Sequence, residues 1–222
     1  MSNPILNDER FSTQERILEG EPMTVQGTVS KILMLFVCLL AGAGISLYFL
    51  FSGQAALVMP MITISAIAGF VLVLITCFNV TRAKYLAAPY ALCEGIVLGG
   101  ISAMFEHAIQ GIVLQAVTIT FATLFVMLML YKAKMIQYTE KFRSVILTAI
   151  LSIAAVYIVQ LVVSLFGRSI PGIFDNGPIG IVFSIVVVII AALSLIQDFY
   201  FIETASQKML SKDYEWYGAM GL

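Results

Sequence analysis

Charge is scarce in this sequence. Asp, Glu, Lys and Arg make up 11% of its 222 residues, 60% are hydrophobic, and the mean hydropathy is +1.00. A soluble domain carries about 25% charged residues, so the composition excludes an ordinary water-soluble fold and points to a membrane protein. The net charge of −1 offers none of the basic patches that nucleic acid requires, and no nucleic-acid partner is expected. Cysteine occurs three times, as Cys38, Cys77 and Cys93, each inside an apolar run and at no metal-ligand spacing. These read as small hydrophobes and leave the redox compartment open. Histidine occurs once, at His107 beside Glu106, where a solvated loop residue is expected rather than a ligand. Ser102 and His107 lie five residues apart, on different sides of a helix, and no nucleophile elbow surrounds the serine. Phosphate-binding glycine loops and metal motifs are also missing. The chain is therefore expected not to be an enzyme and to need no cofactor. Residues 1–28, polar and acidic, lack the basic start, apolar core and cleavage site of a signal peptide. They read as a cytoplasmic segment.

What remains is hydrocarbon. Six long apolar runs follow, at about 29–51, 56–79, 86–104, 109–131, 144–166 and 178–199. Each is near the roughly 20 residues that cross a bilayer as helix. Helices satisfy their own backbone groups in lipid, and none of the runs shows the alternation of a barrel strand. The expected fold is an all-α polytopic membrane protein, a helical bundle over 29–222. In the GRSIPGIFDNGP link, Asn176, Gly177 and Pro178 look like a helix start, with Pro in the first turn.

With the N-terminus placed inside, Arg10, Arg16, Lys31, Arg82, Lys84, Lys132, Lys134, Lys141, Arg143, Lys208 and Lys212 fall on the inner side, and only Arg168 falls outside. Eleven against one is a strong positive-inside bias. The last stretch, Thr204–Leu222, carries Lys208, Lys212, Asp213 and Glu215, then turns apolar at WYGAMGL. Those residues read as the first turns of a further helix, far too short to cross. The sequence is expected to be either a seven-helix protein lacking most of its seventh helix, or one ending in an interfacial stub anchored by Tyr214, Trp216 and Tyr217.

Two carboxylates lie within or at the end of apolar spans. Asp198 closes the run IVFSIVVVIIAALSLIQD. Ser184, Ala191, Ser194 and Asp198 recur at spacings of seven, three and four, so they share one helix face, and this small, polar stripe is expected to face the bundle interior. Ionisable groups there are costly and are functional candidates by default; the alternative is an interfacial aspartate that reaches water. Arg82 and Lys84, at the same membrane face, are candidate counter-charges. In the third run, Ala91, Gly95, Gly99 and Ala103 form a ladder of small residues that permits close helix packing. Glu94 beside it reads either as a proton- or cation-accessible carboxylate or as a protonated, hydrogen-bonded pin between helices.

The segments NPILNDERF, YALCEGIVLGGIS and SLIQDFYFIETASQ, with the closing KDYEWYGAMGL, resemble the Bax inhibitor-1 family of transmembrane Bax inhibitor motif proteins, in its bacterial YccA-like branch. The resemblance covers most of the chain. It implies a bundle in which six helices wrap a central, hydrophobic seventh, in a bacterial inner membrane. It also implies a pH-sensitive cation leak, with calcium as the ion, and a pair of acidic residues in the last two helices as a proton-sensitive latch. Asp198 matches the first of that pair; the second belongs to the final helix, which this sequence lacks. Glu94 falls in the EG–LG segment of the branch and is the second ion-binding candidate. Two nearby carboxylates share a proton, and losing it offers hard oxygen ligands suited to calcium. The expected partners are the lipid bilayer, cations and protons. The rival expectation is a non-conducting membrane protein that regulates another complex, such as a membrane protease.

Overall fold

The structure is a computed structural model that describes residues 21–222 apart from 137, 169, 171, 175 and 176. The NPILNDERF segment with Arg10 and Arg16, and Asn176 at the expected start of the sixth span, lie outside the described residues. Among the described residues seven helices follow one another: α1 (Val25–Phe51), α2 (Val58–Phe78), α3 (Ala83–Ala108), α4 (Ile112–Lys132), α5 (Glu140–Leu165), α6 (Pro178–Gln207) and α7 (Asp213–Gly221). Short 3-10 turns at Ala55–Leu57 and Val80–Arg82 precede α2 and α3. The first six are long and apolar enough to cross a membrane, so the fold is an all-α polytopic membrane fold.

The helices overrun the apolar runs because their polar ends stay helical. Thr24 caps α1, accepting from the Gly27 N–H at 2.9 Å. Thr139 caps α5 in the same way, accepting from the Phe142 N–H at 3.1 Å. Each threonine satisfies one of the four amides that a helix start leaves without a partner. At the α3–α4 turn the Glu106 carboxylate does this work: Gly111 N–H donates to Oε1 at 2.7 Å and Val113 N–H to Oε2 at 3.1 Å. Gly111 sits at φ +84°, which glycine alone adopts without cost. Glu106 is thus a helix cap, and its neighbour His107 is exposed.

The described chain forms two compact units. One comprises the residues up to Thr118 together with Phe201–Leu222. Here α3 is central: α1 and α2 pack on it, and α7 packs on α1 and α3. The reason is a run of small residues at every fourth position of α3. Ala83, Ala87, Ala91, Gly95, Gly99 and Ala103 are all buried. On α1 the buried positions are Thr28, Leu35, Gly42 and Ser46. The two backbones touch. A Cβ on Gly99 would lie 2.6 Å from the Ala43 Cα, one on Gly95 2.8 Å from the Leu39 carbonyl carbon, and one on Gly42 3.1 Å from the Gly95 Cα. Ser46 Oγ donates to the Ile96 carbonyl at 2.7 Å across the same crossing. Against α2 the approach is again through glycine, since a Cβ on Gly100 would meet Ile62 Cδ1 at 2.6 Å. Without a hydrophobic drive inside lipid, such close van der Waals contact and interhelical hydrogen bonds hold helices together.

The other unit is Ile119–Tyr200. Aromatic groups sit at both ends of it. Tyr138 stacks on Tyr200 with ring centroids 3.9 Å apart, while Phe174 meets Tyr157 and Phe183 edge-to-face and those two rings lie tilted to one another. Gln160 Oε1 ties the α5–α6 link by accepting from the Ile170 N–H at 2.9 Å. The stripe expected to face inward on α6 does not do so along its length. Ser184 and Ala191 are exposed and Ser194 is half-buried, whereas Phe183, Val187 and Ile190 are the partly covered positions. Bulk decides this: Phe183 has Tyr157 and Phe174 to pack against, and small side chains bury too little surface to set the orientation.

Candidate functional site

Asp198 lies 20 residues into the apolar helix α6 (Pro178–Gln207) and is half-buried. Its neighbours Ile196 and Phe199 are buried, and Phe199 lies against Tyr131 of α4 at 5.9 Å between ring centroids. The preceding side chain, Gln197, has a buried Oε1 with no hydrogen-bond partner among the described residues. Consecutive residues on a helix point in different directions, so the Asp198 carboxylate and the Gln197 amide present separate acceptors, each partly withdrawn from solvent. The carboxylate is a hard acceptor of the kind that binds hydrated or partly stripped cations. Among the described residues no three His, Cys, Asp or Glu side chains converge as a metal site.

Glu94 is half-buried in the middle of α3. Its carboxylate interacts with the Tyr90 hydroxyl one turn earlier, and its Oε1 would lie 3.6 Å from a Cβ on Gly69 of α2. Gly69 leaves the space that the carboxylate faces. Asp198 and Glu94 belong to different units, each with the neighbours just described. Of the two expected counter-charges, Arg82 is exposed at the start of α3. Lys84 pairs with Asp213 of α7 at 3.7 Å.

A family profile described as Bax inhibitor 1 like matches residues 3–222. The chain belongs to the Bax inhibitor 1 like family. No curated protein and no solved structure matches it. The family match spans α1 to α7, so the carboxylates on α3 and α6 both stand within its matched length.

Sequence reasoning missed one constellation of this Bax inhibitor 1 like chain, where the segment entering α1 meets α7. Met23 N–H donates to the Leu210 carbonyl at 2.8 Å, and Pro22 and Ser211 form an isolated antiparallel bridge. Lys212 pairs with Glu21, and Lys31 lies over the Trp216 ring at 5.0 Å. Glu215 is buried, with 2% of its surface exposed. Its Oε1 accepts from both the N–H and the hydroxyl of Thr24, at 3.0 and 3.1 Å. The partners lie 191 residues apart in sequence, so no local periodicity signals them. The available sign was the type of each residue: a threonine just before an apolar run is a ready N-cap, and a glutamate amid apolar neighbours in WYGAMGL's run-in wants a partner.

Proposed function

We propose that this Bax inhibitor 1 like protein is a cation leak channel or sensor under proton control. Asp198 is its gate carboxylate, Glu94 is a second ion-binding group, and calcium is the ion carried or sensed. The protein acts by passage or sensing and not by catalysis. It sits in a bacterial inner membrane with its amino end in the cytoplasm. The observation that carries this reading is Asp198 itself, a half-buried carboxylate that closes the long apolar run of a membrane-length helix. An ionisable group in that setting is retained at a cost, and its use is to meet an ion. When ionised, Asp198 offers two hard oxygens; when protonated it offers a poor ligand, and proton control follows from that difference.

The test is calcium flux into proteoliposomes of the purified full chain. Wild type passes calcium, Asp198→Asn lowers the flux about tenfold or more, because an amide is a poorer ligand for a hard cation, and Asp198→Glu retains most of it. Flux unchanged in Asp198→Asn overturns the assignment of the gate. Absence of flux in wild type, with copurification of another membrane protein, favours the reading as a regulatory interaction partner.

A further inference from the structure

The inference starts from a close approach. A Cβ at Gly27, in the first turn of α1, would meet all three terminal atoms of Glu215, including Oε2 at 2.6 Å. The Glu215 carboxylate lies directly over the amino end of α1 in a space that exists only because residue 27 has no side chain. Its surroundings make the seat selective for an anion. The Thr24 N–H and hydroxyl both point at Oε1, and the same hydroxyl accepts from the Gly27 N–H, so a short relay ends on the carboxylate. The start of a long helix adds its partial positive charge. Lys212 feels the charge of Glu215. Oε2, fully buried, finds no partner among the described residues. Thus one carboxylate oxygen is held and the other is desolvated without return. Such an arrangement is stable only while the surrounding contacts stay closed.

Those contacts belong to one element. On α7, Gly218 lies against Ile202 and Phe201, at 3.4 and 3.7 Å from where its Cβ would be, and against Thr28 of α1 at 3.7 Å. Ala219 joins Leu35, Ala87 and Ala91 in one apolar cluster. Asp213 pairs with Lys84, and Tyr214 and Tyr217 pack against Phe201. The nine residues of α7 therefore bridge α1, α3 and the last turns of α6.

We propose that α7 is a strap that closes on the amino end of α1, with the Glu215 carboxylate as its latch and Gly27 as the notch that admits it. When the latch is seated, the end of α6 is tied to α1 and α3. When it leaves, α7 frees that end. The strap stands on these contacts alone and is independent of whether the protein carries cations.

Hydrogen–deuterium exchange of the full chain in lipid nanodiscs tests it. In wild type the α7 amides are protected. In Glu215→Gln the acceptor for Thr24 remains but the charge over the helix start is gone, and exchange of α7 is expected to rise about tenfold or more. The amides of α3 around Gly95 and Gly99 are expected to stay as in wild type, which marks an opened strap in an intact bundle. Gly27→Ala pushes the carboxylate out by its flexible end and is expected to do the same. In a Glu215→Ala background, Gly27→Ala is expected to add nothing, because the atoms it would strike are gone. Wild-type protection of α7 in both Glu215→Gln and Gly27→Ala overturns the strap. So does a full additional effect of Gly27→Ala in the Glu215→Ala background. Should Glu215→Gln fail to fold, Gly27→Ala and its double variant decide alone.

Discussion

Glu106 shows how much a single side chain at a helix start can carry. It accepts from two amides of the α4 start, and its removal leaves both to find water at the membrane edge. Glu106→Ala is expected to lower stability by about 0.5–2 kcal/mol, the usual cost of a lost cap, read as a lower melting temperature in detergent. His107→Ala, an exposed neighbour, is expected to melt like wild type. The pair Glu21–Lys212 gives a pH prediction. Lys212 holds the Glu21 carboxyl below its ordinary value by hydrogen bond and charge, and Glu21 raises Lys212 in return. A lowered acid stabilises the folded form above its ordinary pKa, and that stabilisation is lost as pH falls through the folded value. A raised base stabilises below its ordinary pKa, and that is lost as pH rises through the folded value. The pair is thus fully formed between the ordinary carboxylate and ammonium ranges, about pH 5 to 10. In an NMR titration the Glu21 carboxyl is expected to have a low midpoint that returns to the ordinary range in Lys212→Met. An unchanged midpoint there shows that the pair does not persist in solution. None of these roles was legible in the sequence, because residue type alone does not say which distant backbone a carboxylate will meet.

At the scale of elements, the α1–α3 crossing is the firmest packing in the first unit. Gly99 faces the Ala43 backbone and has no flexible side chain to push aside. Gly99→Leu is expected to separate the helices and to destabilise the protein by about 1–3 kcal/mol or more, as overpacking does. Gly44 lies on the same α1 helix in open space. Gly44→Ala is expected to be neutral or to stabilise by about 0.5–1 kcal/mol through helix propensity. Thermal melts of the two variants side by side separate a packed glycine from an idle one. Equal melts would mean that the ladder does not face α1 in solution. The ladder itself was readable from the four-residue spacing of Ala91, Gly95, Gly99 and Ala103. Its extension to Ala83 was not, since the apolar run, at about 86–104, appeared to start later than the helix does. On α6 the same logic misled: Ser184 and Ala191 repeat at helical spacing, yet the large Phe183 sets which way that helix turns. Small residues mark a packed face only where a second backbone comes close enough to need them.

For the whole molecule the decisive quantity is the side of the membrane on which each link lies. The six long helices were legible because apolar length is a strong, local signal, and the membrane-spanning fold and the family follow from it and from the family profile. Orientation rests on the basic residues. In the first unit Glu21, Lys31, Lys84, Lys212 and Asp213 gather at one end, as they must if the starts of α1 and α3 and the end of α6 share a side. That end carries lysines, and under the proposed orientation, which follows the positive-inside rule, it faces the cytoplasm. In a chain with Cys38, Cys77 and Cys93 replaced, Arg168→Cys in the α5–α6 link is expected to react with a membrane-impermeant maleimide from outside intact cells. Lys134→Cys in the α4–α5 link is expected to react only after permeabilisation. Cys77 is exposed near the end of α2, so restoring it alone gives a third probe, which belongs to the same side as Lys134. The reverse pattern would invert the protein in the membrane. Labelling of Arg168→Cys and Lys134→Cys alike from outside would remove α5 as a span, and with it the alternation that puts the lysine-bearing end inside.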